Sequence, residues 1–237
     1  MNAQKVAIIT AASRGIGAGC AKELVQRGYR VSLLARSSNV LALAQTLNGI
    51  ATQGSMASAK DLEALVKSTL DKWGRIDAVV NSFGDPPRPD LLEISDQMWI
   101  ENFDMLFLSV VRLARLVTEP MRQQGGGAIV NISASDSQEP SLGTPFSGTL
   151  RAAMEGFTKL YAKRYRGDRI RINSVAPFFV ADSMEELEGW NVPSDLMWGR
   201  PAMYSELAKV VAFLISEDAK FITGTTLKVD EARSMVV

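Results

Sequence analysis

Short apolar runs rich in Val and Ile alternate with longer stretches of helical period along this chain, and that alternation leaves few folds open. The runs fall at residues 6–10, 31–35, 78–81, 128–132, 170–176 and 226–230, and the helical stretches at 16–27, 60–73, 96–124, 147–166 and 204–216. Strands that are apolar throughout, not only at every second position, are buried on both faces. Runs this short are also too short to be buried helices. The pattern predicts an α/β domain with a doubly wound, mostly parallel sheet of about seven strands and helices on both faces. At 237 residues the chain has the length of one such domain, so a single domain over 1–237 is expected. No linker divides it: Gly125, Gly126 and Gly127 only join a helix to a strand, and the proline-rich 85–89 reads as a rigid loop. The segment 182–203 has weak periodicity, holds Trp190 and Trp198, and reads as a lid or substrate loop.

Composition removes several chemistries. The chain has no histidine, which excludes Ser-His-Asp and Cys-His catalysis and His-ligated zinc, and no metal site is expected. Lys plus Arg and Asp plus Glu both total 26, giving zero net charge, which argues against a nucleic-acid surface. The one cysteine, Cys20, has no partner for an internal disulfide and is expected to be inert in a helix packing surface. The first residues lack the pattern of a signal peptide, and no apolar run reaches the ~20 residues that span a bilayer. A soluble, cytoplasmic protein with no membrane partner is the expectation.

The first strand leads into Thr-Ala-Ala-Ser-Arg-Gly-Ile-Gly at 10–17. Glycines in such a turn let backbone N–H groups at the start of the next helix approach a pyrophosphate, although a plain strand–helix turn also uses glycine. Thr10, Ser13, Arg14, Gly15, Ile16 and Gly17 are the candidate cradle. About twenty residues on, a fold preferring NAD carries Asp or Glu against the ribose hydroxyl. This chain has Arg36-Ser37-Ser38 there, and a guanidinium with hydroxyls suits the extra phosphate of NADP.

These motifs, with Asn81-Ser82-Phe83-Gly84, the strand ending at Ser133, the segment 171–177 and Ile222-Thr223-Gly224 before Val229-Asp230, resemble the short-chain dehydrogenase/reductase family over nearly the whole chain. The resemblance implies a Rossmann-like fold, NADP(H) as cofactor, and Asn81 and Gly84 at the cofactor site. It also implies a catalytic Asn, Ser, Tyr and Lys, the last two spaced Y-x-x-x-K. In this chain those positions fall on Leu106, Ala134, Ser147 and Arg151, with Asn102 one turn before the first and Ser133 and Ser135 flanking the second. Further departures are Ala11 for the first glycine of the cradle, Phe83, Phe178 in place of a glycine that would leave room for the nicotinamide, Asp182 near a family threonine, and Glu231-Ala232 for a glycine pair.

Against the family pattern the resemblance implies, no catalytic residue is intact, and Ser133, Ser147 and Arg151 are the candidates left. A serine hydroxyl is far less acidic than a phenol, and arginine is a permanent cation, not a proton relay. Asp136, Glu139 and Asp182 are candidate acids at the mouth, with Tyr161 a further relocated donor, and Phe146, Phe178 and Phe179 are candidate pocket walls. The expected function is a homologue that binds NADP(H) with ordinary carbonyl reduction lost or changed. The alternatives are a working reductase with a relocated donor and a cofactor-free binding or assembly subunit. Excess apolar positions in 105–117 and 150–161, together with the resemblance, imply a homodimer or homotetramer.

Overall fold

The computed structural model describes residues 4–190 and 192–236; the ends of the expected domain and residue 191 of the expected lid lie outside them. Seven strands form one parallel sheet. They are β1 (Val6–Thr10), β2 (Arg30–Ala35), β3 (Ile50–Gln53), β4 (Ala78–Asn81), β5 (Gly127–Ile132), β6 (Ile170–Pro177) and β7 (Thr226–Val229), in the order β3-β2-β1-β4-β5-β6-β7. The helices are α1 (Gly15–Gln26), α2 (Asn39–Thr46), α3 (Ala59–Trp73), α4 (Asp96–Phe103), α5 (Ser109–Gln123), α6 (Pro145–Tyr165) and α7 (Tyr204–Ile215). Successive side chains of a strand point to opposite faces, and the core divides accordingly. Ala7 and Ile9 pack with Cys20 and Leu24 of α1 and Leu207 and Val211 of α7, while Ile8 packs with Leu65 of α3, Leu113 of α5 and Tyr161 of α6.

Two elements have weak sequence signals, α2 and β3. Helix α2 buries only Val40 and Ala44, and β3 is a half-exposed edge strand of four residues, so neither shows a clear apolar pattern. The single helix expected over 96–124 is instead α4 and α5 joined by one turn of π-helix, Asp104–Leu108, which carries Leu106. Cys20 is fully buried, and burial pushes its thiol up to about 12, so it is inert as a nucleophile. Among the described residues no helix is long and apolar enough to cross a membrane, and no cluster of His, Cys, Asp and Glu could hold a metal ion.

The chain order reverses between β1, which leads to β2 and β3, and β4, which leads toward β7. Ligands of such sheets bind outside the carboxyl ends of the strands at this switch point. The turn at 10–17 and Ser82-Phe83-Gly84 flank the crevice.

Candidate cofactor and active site

The strand–turn–helix at 10–17 has the shape its residues imply. A Cβ on Gly17 would stand 2.6 Å from the Ala11 carbonyl oxygen, so only glycine lets α1 start this close to β1. Ala11 itself sits at φ +47°, a left-handed conformation that costs a non-glycine residue about 1–3 kcal/mol. Thus the turn follows a path that favours glycine at a position held by alanine. No side chain caps α1, and its first turn carries no acidic residue, which leaves N–H groups directed into the crevice. Such an end attracts anions. Arg14 is exposed at the helix start, with Ser13 half-buried beside it. Arg36, exposed at the end of β2, reaches across so that Nη2 lies 3.8 Å from where a Cβ of Gly84 would be. Neither arginine forms an ion pair among the described residues. Uncapped amides, an obligatory glycine and two free cations fit a phosphate-bearing ligand.

Other expected contact residues act on the frame. The Thr10 hydroxyl is buried, donates to the Ser82 carbonyl at 2.8 Å and accepts from the Ser82 N–H at 3.0 Å, tying β1 to the chain leaving β4. Asn81 donates to the side-chain oxygen of Asn131 at 2.8 Å, while its own amide oxygen is buried without a partner. Ser37 accepts from the N–H of Asn39 at 3.3 Å and so shapes the start of α2.

The reaction end of the crevice is built on α6 and the end of β5. Ser147, Arg151 and Glu155 lie at i, i+4 and i+8 on α6, hence on one face. Ser147 is buried, and its hydroxyl makes no hydrogen bond among the described residues. Arg151 is 7% exposed; Nη1 donates to the Ile132 carbonyl and, at 3.3 Å, to that of Ser133, while Nε is buried without a partner. Its guanidinium lies 5.1 Å from the ring centre of Phe83. Burial lowers the Arg151 pKa to about 10, partly offset by Asp85, Asp136 and Glu155, and the group stays charged at neutral pH. Ser133 donates to Glu155 at 2.6 Å, Ser137 donates to the same oxygen, and Gln138 reaches the other at 3.4 Å. Ser133 is therefore engaged in fastening the β5–α6 connection to α6. Glu155 is a partner the sequence reading missed, although its i+4 spacing from Arg151 was readable.

Leu106 is fully buried with Ile94 and Phe146, and the Asn102 amide donates to the Met98 carbonyl of its own helix at 2.9 Å. Phe146 is no pocket wall: it is fully buried, edge-on to Trp99 at 4.8 Å. Phe178 packs on Phe179 at 4.4 Å and beneath the Arg233 guanidinium at 5.4 Å, and both phenylalanines line a cavity of about 370 Å³ beside Trp198, Pro201 and Lys228. Burial raises the Asp136 pKa, with Arg151 and Arg88 opposing the shift. Glu139 accepts from the Met235 N–H at 2.6 Å, and Asp182 from the Tyr204 N–H at 3.1 Å. Tyr161 shares a 2.6 Å hydrogen bond with Thr118, and burial pushes its phenol up to about 12, which makes it a weaker acid than a free tyrosine.

The segment 182–203 meets partners that no spacing announced. Arg88 stacks on Trp190 at 3.3 Å and bonds Asp85 at 2.8 Å, joining that segment to the loop after β4. Trp190 also meets Phe179 at 5.6 Å.

A family model described as "Enoyl-(Acyl carrier protein) reductase" matches residues 10–231. "Dehydrogenase/reductase SDR family member 4" of Caenorhabditis elegans is 33% identical, covering 93% of this chain and 91% of that protein. A 3-oxoacyl-[acyl-carrier-protein] reductase of Staphylococcus aureus is 29% identical over 97% of this chain and 98% of its own. Among solved structures, L-sorbose reductase from Gluconobacter frateurii, complexed with NADPH and L-sorbose, superposes with a TM-score of 0.89 at 27% identity, covering 99% of this chain and 98% of that one. With the strand order, the switch-point crevice and the glycine turn agreeing, the chain belongs to the short-chain dehydrogenase/reductase family.

Proposed function

We propose that this chain binds NADP(H) in the crevice between β1 and β4 and no longer performs ordinary carbonyl reduction. The observation that carries the first half is Arg36, without an ion pair among the described residues and leaning over Gly84 beside the start of α1. The similar L-sorbose reductase, complexed with NADPH, supports the same reading. Backbone amides of the turn at 10–17 would hold the pyrophosphate, and Arg36 and Arg14 would hold the additional phosphate. The bound cofactor would supply hydride; the chain must supply the proton and orient the acceptor. Ser147 is too weak an acid for that, and Arg151 is fixed to the carbonyls at the end of β5.

Fluorescence titration with NADPH tests the binding half. Saturable binding in the micromolar range is expected, and no binding up to about 1 mM would overturn it.

One observation favours a second reading, a relocated donor: Asp136 is half-buried, with its pKa raised, beside Arg151. Activity abolished by Asp136→Asn would select it.

We also propose that the chain self-associates. An aromatic row, Phe103, Phe107, Phe157, Tyr161 and Tyr165, connects α4, the π turn and α6, and Ile100 and Leu160 beside it are exposed. Light scattering is expected to give a dimer or tetramer, and a monomer at micromolar concentration would refute this.

A further inference from the structure

The lid brings an acid to the phosphate cradle. The Tyr204 ring lies 3.7 Å from the position a Cβ of Gly15 would take, directly above the first residue of α1. Its hydroxyl donates to Oε2 of Glu186 at 2.5 Å, and its backbone N–H donates to Asp182 at 3.1 Å. Tyr204 thus anchors the lid at two points, and its hydroxyl holds the Glu186 carboxylate toward the start of α1. Burial and the Glu186 carboxylate both raise the Tyr204 pKa, so the phenol stays protonated and remains a donor. The rest of the lid is fastened as well. Trp190 stacks on Arg88, Asp195 pairs with Arg233 at 2.9 Å, and the Met197 N–H donates to Glu231 at 2.8 Å. Glu231 is held for that contact at φ +58°, next to Ala232 at φ +58°, where two left-handed non-glycine residues store strain.

A helix N-terminus favours the negative charge of a ligand phosphate, and here a side-chain carboxylate is held near it already. Phosphates arriving at the same place meet a like charge and an aromatic ring. We propose that Glu186, held by the Tyr204 hydroxyl beside the start of α1, is a built-in competitor for the cofactor phosphates, so that the lid must release it before the dinucleotide seats. This rests on the NADP(H) reading above. A cofactor that binds only the released state has its affinity reduced by the fraction of molecules in that state.

The test uses the full chain in four forms: wild type, Glu186→Gln, Tyr204→Phe, and Glu188→Gln as a lid variant with the same change of charge. NADPH is titrated by fluorescence, and hydrogen exchange is measured across 183–190 without ligand. Glu186→Gln and Tyr204→Phe are expected to bind NADPH about tenfold tighter and to exchange lid amides faster, while Glu188→Gln behaves as wild type. Unchanged or weaker affinity in Glu186→Gln, with wild type binding normally, overturns the competitor and leaves the cofactor reading standing. An equal gain in Glu188→Gln reduces the effect to bulk charge and overturns it too, as does tighter binding with unchanged lid exchange. If none of the four forms binds NADPH, the cofactor reading falls and the competitor with it.

Discussion

Given NADPH and simple ketones, aldehydes or 3-oxoacyl thioesters, the purified protein is expected to turn over at least ~10²-fold below the common enzyme rate of ~10 s⁻¹. A positioned acid or base contributes about 10²–10⁴ to rate, and the positions where the family resemblance implies such groups hold Leu106, Ala134, Ser147 and Arg151 together. Leu106 places an apolar side chain in a buried cluster, Ala134 has no hydroxyl, Ser147 is a weak acid, and Arg151 is tied to backbone carbonyls. Groups that act as a unit do not lose their effects additively, so repairing one returns little. Ser147→Tyr with Arg151→Lys is therefore expected to recover little activity. With that pair alone the acceptor still lacks its orienting hydroxyl. Adding Ala134→Ser should help more than adding Leu106→Asn, because Ala134 is half-buried at a strand end while Leu106 would bury an amide among Ile94 and Phe146. Steady-state assays of absorbance at the NADPH band decide the matter. Wild-type turnover near ~10 s⁻¹ would refute the loss, and Asp136→Asn would then be the first variant to measure.

What the sequence made legible follows from how local each signal is. Five of the seven strands show as buried runs because parallel strands covered on both faces must be apolar throughout, and β7 shows through its position after Ile222-Thr223-Gly224. Strand β3 lacks that signature because an edge strand is half in water. The glycine turn was readable from spacing alone, since Gly17 is required by a contact with a residue six positions earlier. The frame residues were not. Thr10, Asn81 and Ser133 are polar residues at strand ends, as ligand-contacting groups would be, and only the folded chain directs their hydrogen bonds to Ser82, Asn131 and Glu155. Arg88–Trp190 and Tyr204–Glu186 join segments 102 and 18 residues apart with no periodic relation, so no pattern in the chain announces them.

Arg36→Asp is expected to reverse the cofactor preference. In the wild type NADPH should bind tighter than NADH, because the extra phosphate can take paired, charge-assisted hydrogen bonds from the guanidinium. Ser37 is partly committed to the N–H of Asn39, so the discrimination falls on Arg36, with Arg14 as a second cation. Arg36 is exposed and its side chain holds no ion pair among the described residues, so replacing it leaves the packing of β2 intact. Its backbone carbonyl, which accepts from Gln53 at 3.1 Å, is unaffected by the side chain. Hydrogen bonds to a charged group contribute roughly 1.5–3 kcal/mol, which corresponds to about tenfold to a hundredfold in affinity for NADPH. The aspartate adds repulsion toward the phosphate and an acceptor for a free ribose hydroxyl, so NADH should gain while NADPH loses. Paired titrations of both cofactors against both proteins read the two effects separately. If the two affinities stand in the same ratio before and after the substitution, Arg36 is a surface residue and the free phosphate is recognised elsewhere. A loss of NADPH binding confined to Arg14→Ala would then place that recognition at the start of α1 and leave Gly84 with no cation acting across it.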